Sequence, residues 1–211
     1  MSAEQRPLPV SSLAKIPRQR RSIDMVHDLI DAAILVLQRE GTTAFTTNRV
    51  AEVAGVSPGS LYQYFANRDM LIAAVVERGI LETETLMRMS AESVDGADSR
   101  TLLSTVIVAI LNDLRPYARL LQEVLLMTPY AAHVGVIPML ETRVADLIRE
   151  WLTGHPDRYV PRHGAVSLVN GTRVAVHLVL RHLTDPRHKA GDDAFVASVV
   201  EMISAGFDKR S

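Results

Sequence analysis

One run of twenty residues that begins at Thr46, TTNRVAEVAGVSPGSLYQYF, constrains the fold more than any other part of the chain. Thr46 is suited to cap a short helix over residues 47–54, and Gly55 ends that helix because glycine tolerates a left-handed conformation. Ser57 then caps a second helix, with Pro58 in its first turn, where a missing N–H costs nothing. Two short helices separated by three residues predict a helix-turn-helix.

The side chains of this run divide into a packed set and an exposed set. Ala51 is small enough to let the second helix cross closely, and four apolar residues tie the pair to the preceding helix: Val50, Ala54, Val56 and Leu61. The other face of the second helix is then free to enter a DNA major groove. It carries Pro58, Gly59, Ser60, Gln63 and Tyr64. The Ala-to-Gly spacing alone also fits an ordinary helical hairpin, so only the whole string favours a helix-turn-helix.

The run TTNRVAEVAGVSPGSLYQYFANRDML resembles the signature of the TetR family of bacterial regulators. The matching elements are the Thr pair, Val50-Ala51, Gly55-Val56-Ser57, Leu61-Tyr62, Tyr64-Phe65 and Asn67-Arg68-Asp69 before Leu71. The resemblance covers about residues 22 to 75. Position 63 often carries an aromatic residue and position 64 often histidine in that family, whereas this chain has Gln63 and Tyr64. The operator sequence therefore stays open.

The resemblance implies DNA contacts along this segment. Thr46, Thr47 and Asn48 resemble phosphate contacts, as does Tyr62, and Arg68 stands where the family grips the DNA backbone. The recognition surface it implies consists of Ser57, Pro58, Gly59, Ser60, Gln63 and Tyr64. From its chemistry alone, Gln63 can bond an adenine edge in two places.

The N-terminal stretch is basic although the whole chain has a net charge of −1. Five basic residues and no acid lie between Arg6 and Arg21. We therefore predict a basic disordered arm over residues 1–21, which is either a solvated tail or a contact to a polyanion. Its arginines Arg18, Arg20 and Arg21 could enter a flanking minor groove.

Helical periodicity and proline-marked boundaries continue through the rest of the chain, which predicts an all-α fold. We expect the helix-turn-helix domain over 22–66 and a ligand-sensing and dimerisation domain over 67–211. The helices predicted in this second domain after its first one cover roughly 99–114, 116–128, 137–153, 161–184 and 192–208. The apolar stripes of the last two fit either an intramolecular core or, as the resemblance implies, a homodimer interface. A dimer also suits a helix-turn-helix, because two-fold symmetry reads a palindrome.

By analogy with the family, apolar and aromatic residues of the middle helices line a cavity for a small-molecule effector, although helical spacing alone favours core for most of them. The candidates are Leu103, Ile107, Leu111, Tyr117, Leu125, Met139 and Trp151. Asn170, Arg173 and His177 share one helix face and are added as candidate ligand contacts. A dimer contact or a solvent face is favoured over a ligand contact for these three residues.

Other classes of function find little support. The seven histidines form no HExxH motif and no His-x3-His pair, and no GxGxxG loop is present. Cysteine is absent, so there is no thiolate site, and we expect no metal and no cofactor. No apolar run reaches the roughly 18 residues that span a bilayer. We expect a soluble, cytoplasmic protein without a membrane partner that is not an enzyme.

These observations favour a DNA-binding transcriptional regulator, most simply a repressor that binds a palindromic operator as a dimer and is released by a small molecule. The alternatives are an enzyme whose site is assembled from distant residues and a protein-interaction module that has lost DNA binding.

Overall fold

The computed structural model describes residues 7–94, 98–118, 121–122, 136–154, 159–161, 165–185, 191–204 and 207–209. The helices in this part of the chain are α1 (Arg20–Ala44), α2 (Thr47–Val53), α3 (Pro58–Tyr62), α4 (Arg68–Ser93), α5 (Ser99–Leu114), α6 (Val136–Gly154), α7 (Ala165–Thr184) and α8 (Asp192–Ser204). Two strands of three residues, β1 (Tyr159–Pro161) and β2 (Phe207–Lys209), accompany them. The predicted all-α class is confirmed.

The chain divides into two compact units, and the division falls within α4, between Glu82 and Thr83. The predicted boundary, after residue 66, differs from this. The first half of α4 belongs with the N-terminal unit because its apolar side chains are buried there. Leu71, Ile72 and Ala74 are among the most completely buried residues of the chain.

The helix α1 supplies the main apolar surface of the N-terminal unit. Val26, Leu29, Ile30 and Ala33 recur at helical spacing and are fully buried. Gly41, with φ 78°, interrupts the helix before its last turn. Since that left-handed conformation suits glycine, Gly41 redirects the chain towards α2.

In the C-terminal unit, α5, α7 and α8 enclose a hydrophobic core. Its buried members are Ile107, Leu111, Val179, Phe195, Val196, Val199 and Val200. The start of α8 is held by Asp192, whose carboxylate pairs with Arg115 and lies 2.9 Å from His182 Nε2. The contact with His182, and then that with Arg115, lowers the pKa of Asp192 from its usual value.

Two predicted helices are shorter than expected because their outer ends form strands. Residues 159–161 pair antiparallel with residues 207–209, in the register Tyr159 to Lys209, Val160 to Asp208 and Pro161 to Phe207. The described part of α7 begins at Ala165, and that of α8 ends at Ser204. Proline at 161 has no N–H for helical or ladder bonding, which suits the end of a short strand.

The helix predicted over 116–128 falls largely outside the described residues; Arg115–Tyr117 form a single 3-10 turn. Among the described helices, none is both long enough and apolar enough to traverse a membrane.

Candidate nucleic-acid interface

Side-chain caps set the start of both helices of the predicted helix-turn-helix. Thr46 Oγ1 accepts a hydrogen bond from Arg49 N at 3.1 Å, and Ser57 Oγ accepts one from Ser60 N at 3.1 Å. Between them Gly55 adopts φ 68°, and the chain turns within three residues. The predicted caps and turn are confirmed. They could be predicted from the sequence because each depends on bonds that span only a few residues.

Burial separates the two helices into a support and an exposed element. Val50 and Ala51 of α2 are completely buried, and Leu61 anchors α3 in the same core. The remaining surface of α3 faces solvent. Exposed on it are Ser57, Pro58, Gly59, Tyr62 and Gln63, with Ser60 half-buried. A short helix held by one apolar anchor and otherwise exposed is the arrangement that a groove-reading helix requires.

The three residues predicted as phosphate contacts at the start of α2 differ in exposure. Thr46 and Asn48 are exposed, whereas Thr47 is buried. Thr47 Oγ1 lies 2.9 Å from the hydroxyl of Tyr62, which is itself exposed. The two hydroxyls therefore join the start of α2 to the end of α3, and of this pair Tyr62 is the group that a phosphate could reach.

Tyr64 does not lie on the exposed face where the sequence analysis placed it. The helix α3 ends at Tyr62, with Gln63 as its C-cap, and the side chain of Tyr64 is 5% exposed. The backbone turns after Gln63 and directs Tyr64 and Phe65 into the core. The burial of Tyr64 contradicts the prediction that its side chain contacts a base directly.

Arg68 fastens the end of α1 in addition to any contact with DNA. Its Nε and Nη2 donate hydrogen bonds of 2.9 Å to the carbonyls of Phe45 and Thr42. Its guanidinium also lies 5.7 Å from the centre of the Phe45 ring. These carbonyls follow the kink at Gly41, so one side chain satisfies groups that the helix end leaves without helical partners.

A network that the sequence analysis missed links α1 to α2. Arg49 donates to both carboxylate oxygens of Glu40, at 3.0 and 3.1 Å from Nε, and pairs with Glu52 at 2.8 Å. The hydrogen bond from Arg49 lowers the pKa of Glu40, and both acids raise that of Arg49. The spacing of Arg49 and Glu52 on a helix could have indicated their pairing. Nothing local indicates Glu40, which lies beyond the turn.

The predicted arm is ordered over its described part. Residues 7–17 pack on the N-terminal unit, with Pro9, Ser12 and Pro17 buried. The arginines considered for a minor groove lie where this segment meets α1: Arg18 is exposed ahead of it, and Arg20 and Arg21 begin it. Disorder was expected from composition alone, which does not register the tertiary contacts that hold the segment.

The predicted ligand contacts of the middle helices separate into core and undescribed positions. Ile107 and Leu111 belong to the core of the C-terminal unit, against which the half-buried Leu103 packs, and Tyr117 is also half-buried. Leu125 and the side chains of Met139 and Trp151 lie outside the described residues. Core packing thus accounts for the described apolar members at α5.

The three polar candidates lie on an exposed face of α7. Asn170, Arg173 and His177 are all exposed. Arg173 Nε donates to Glu141 of α6 at 3.1 Å, and His177 Nδ1 lies 2.9 Å from the carbonyl of Arg173. Of the alternatives left open, a solvent face or a contact to a second copy fits this exposure better than an enclosed ligand contact.

The fold and this site define a class: a helix-turn-helix protein whose N-terminal unit carries the motif and is followed by a helical C-terminal unit. Residues 29–75 match the family described as "Bacterial regulatory proteins, tetR family". The HTH-type transcriptional regulator BetI of Rhizobium meliloti is 35% identical over 65 residues, which cover 30% of this chain and 32% of that protein. The chain thus matches about a third of the length of this curated relative.

Two solved structures share the fold over most of both chains. The TetR family repressor AlkX of Dietzia sp. has a TM-score of 0.64 at 18% identity, over 90% of this chain and 99% of that one. The multidrug binding protein EbrR, solved with imidazole, has a TM-score of 0.61 at 21% identity, over 89% and 96%. The family match over residues 29–75 confirms the resemblance of this segment to the TetR family of bacterial regulatory proteins.

Proposed function

We propose that this chain is a transcriptional regulator and not an enzyme: a cytoplasmic homodimer that binds a palindromic operator and releases it when a small molecule binds. The observation that carries the proposal is the exposed surface of α3 around Gln63, held by buried Leu61 and capped by Ser57. The affiliation of residues 29–75 with regulatory proteins supports the same function.

On this proposal, DNA recognition combines base and backbone contacts. Gln63 supplies a side chain that bonds a base edge, while Tyr62, Thr46 and Asn48 reach phosphates. Thr47 holds Tyr62 in place through the paired hydroxyls, 2.9 Å apart. Backbone contacts fix the register, and specificity then depends on few base contacts per half-site, which is why two copies are needed.

Operator binding can be tested by fluorescence anisotropy on DNA from upstream of the protein's own coding sequence, at two salt concentrations. Gln63→Ala is compared with Gln38→Ala, which removes another exposed glutamine, from α1. We expect Gln63→Ala to weaken binding by at least about tenfold, since a bidentate base contact contributes ~1–3 kcal/mol. Binding that depends on salt but is indifferent to Gln63→Ala, on this DNA and on DNA selected from random sequences, would contradict the proposal.

The effector is proposed as a small molecule bound in the C-terminal unit, with no further cofactor. Support comes from the two-unit architecture and from EbrR, a structural neighbour described as a multidrug binding protein. A compound can weaken DNA binding only by the factor by which it binds the DNA-free protein more tightly than the DNA-bound protein. The factor by which it weakens DNA binding must therefore equal the factor by which DNA weakens its binding.

That reciprocity gives a direct test. Trp151 is the single tryptophan of the chain, so its fluorescence can report compound binding with and without operator DNA. Equal factors from the fluorescence and anisotropy titrations are expected for an effector. A compound that binds equally well in both states would be a ligand without a regulatory role.

A further inference from the structure

The segment that precedes α1 is bound to α4 by a buried carboxylate. We call residues 7–14 the strap. Within it, Val10–Ser12 form one 3-10 turn, and Ser12 is buried. Glu77 of α4 is 6% exposed, which is unusual for a charged side chain without partners. The strap supplies those partners.

Glu77 receives three hydrogen bonds from two consecutive strap residues. Ser11 N donates to Oε1 at 3.2 Å, Ser11 Oγ donates to the same oxygen, and Ser12 Oγ donates to Oε2 at 2.7 Å. Burying a carboxylate is costly unless its oxygens are hydrogen-bonded, and hydrogen bonds to a charged acceptor are stronger than neutral ones. The strap and Glu77 therefore form a latch across more than sixty residues of sequence.

The other end of the strap meets the chain just beyond the recognition helix. Ala14 N donates to the carbonyl of Tyr64 at 2.8 Å. Tyr64 directly follows Gln63, the exposed C-cap of α3. Lys15 is the next residue after Ala14, and Tyr64 lies two residues beyond the last residue of α3, so this bond holds Lys15 near the end of the recognition helix.

Exposed cations follow the strap at this point. Lys15, Arg18 and Arg21 are exposed, and no described residue forms an ion pair with any of them. Arg20 differs, since it pairs with Asp24 at 3.4 Å. Cations fixed beside a groove-reading helix suit the phosphates that flank the bases it reads.

We infer that Glu77 is a positioning residue for DNA binding: through the strap it holds Lys15 and Arg18 against the DNA phosphates beside the end of α3. This inference rests on the proposed function and deepens it. Because the strap orders this segment before DNA is bound, these cations contact phosphate without the conformational entropy cost of ordering a disordered chain.

The test uses the full-length protein and measures operator affinity against salt concentration by anisotropy. Each lost phosphate contact reduces the slope of log K against log salt by about one. We expect Lys15→Ala to reduce the slope and to weaken binding similarly on operator and unrelated DNA. Arg149→Ala, which removes an exposed cation from the C-terminal unit, serves as the charge-matched control and should leave the slope unchanged.

The latch is tested with the double variant Ser11→Ala/Ser12→Ala, which removes both hydroxyl donors, and with Ser11→Thr, which keeps one at the same position. The double variant should reproduce the slope of Lys15→Ala, and adding Lys15→Ala to it should have little further effect. Ser11→Thr should retain the wild-type slope. Amide exchange at Ala14 should quicken at least about tenfold in the double variant, because local opening of the strap frees that N–H.

The outcomes separate the two proposals. A wild-type protein without sequence-specific DNA binding overturns the proposed function, and this inference with it. Specific binding by the wild type together with an unchanged salt slope in Lys15→Ala overturns the phosphate contact alone. A double serine variant that loses thermal stability but keeps the wild-type slope and Ala14 exchange shows that Glu77 only supports the fold.

Discussion

Two glycines of the N-terminal unit have opposite conformational requirements. Gly55 has φ +68°, whereas Gly79 lies inside the helix α4, and a Cβ at either position would meet nothing within 4 Å. Because an added Cβ would make no steric contact at either position, alanine substitutions at the two glycines differ only in the backbone conformation that the alanine must adopt. A left-handed conformation costs an L-residue about 1–2 kcal/mol, while glycine within a helix is less favourable than alanine by roughly 0.5–1 kcal/mol.

We accordingly expect Gly55→Ala to lower the free energy of unfolding by about 1–2 kcal/mol. Gly79→Ala should raise it by roughly 0.5–1 kcal/mol. Urea denaturation followed by circular dichroism measures both. If both substitutions lowered the free energy of unfolding equally, the left-handed conformation would not be the reason that position 55 requires glycine.

Arg68 offers a second test at the residue scale, because charge and geometry can be separated there. Arg68→Lys keeps the positive charge but cannot donate to the carbonyls of Thr42 and Phe45 together from a planar fork. Losing one charge-assisted hydrogen bond should reduce the free energy of unfolding by about 1–2 kcal/mol, measured by urea denaturation. A lysine variant of unchanged stability would show that Arg68 acts only through its charge.

At the scale of elements, the network of Arg49 with Glu40 and Glu52 ties α1 to α2. The hydrogen bond from Arg49 lowers the pKa of Glu40 from its usual 4.5. A depressed folded-state pKa means that the stabilisation is complete above the unfolded value and is lost as the pH falls through the folded value. The pair is exposed, so the effect is small and screened by salt.

The corresponding expectation is that Glu40→Gln lowers the urea midpoint near pH 7 but has little effect well below pH 4.5. Glu201→Gln, an exposed glutamate on α8, is the control and should follow the wild type throughout. A Glu40→Gln difference that grows towards acid pH would contradict the depressed pKa.

The packing of α5 on α8 distinguishes a core from a ligand cavity. Leu111 is 1% exposed within the core of the C-terminal unit, whereas Val108 on the same helix is 42% exposed. Leu111→Ala should lower the free energy of unfolding by about 2–5 kcal/mol, because it leaves a cavity in a packed region. Val108→Ala should change it by less than ~0.5 kcal/mol. If Leu111→Ala were nearly neutral in denaturation but altered effector binding, the original pocket interpretation would be favoured.

For the whole molecule, the proposed dimer predicts that exposed apolar residues of the last two helices lie in the interface between the two copies. Val174 of α7 and Met202 of α8 are 43% and 45% exposed in the single chain. Val174→Asp or Met202→Asp would place a charge in the proposed interface, so light scattering should report a monomer. Operator affinity should fall by at least about a hundredfold as the second half-site contact is lost.

The control for that experiment is Val108→Asp, an equally exposed valine on α5. It should remain dimeric and bind operator normally. Retention of the dimer in both Val174→Asp and Met202→Asp would place the association surface elsewhere.

The sequence by itself determined what depends on short-range bonding. Thr46 and Ser57 cap helices through bonds to amides three residues ahead, and Gly55 turns the chain because few other residues accept its φ. These signals act within about one helical turn, so they are legible without knowing the rest of the fold. The helix-turn-helix and the helical class follow from them and from apolar periodicity.

Only the tertiary structure decided which side chains face solvent and which partners they find. Tyr64 continues the recognition run in sequence yet is buried, because the chain turns after Gln63. Glu77 meets Ser12 across 65 residues, and composition predicted disorder for that strap. Burial and long-range pairing arise from the packing of separate elements, whose free energy no local pattern records. The same packing assigned Leu111 to the core that its helical spacing favoured, and not to the ligand cavity that the family resemblance implied.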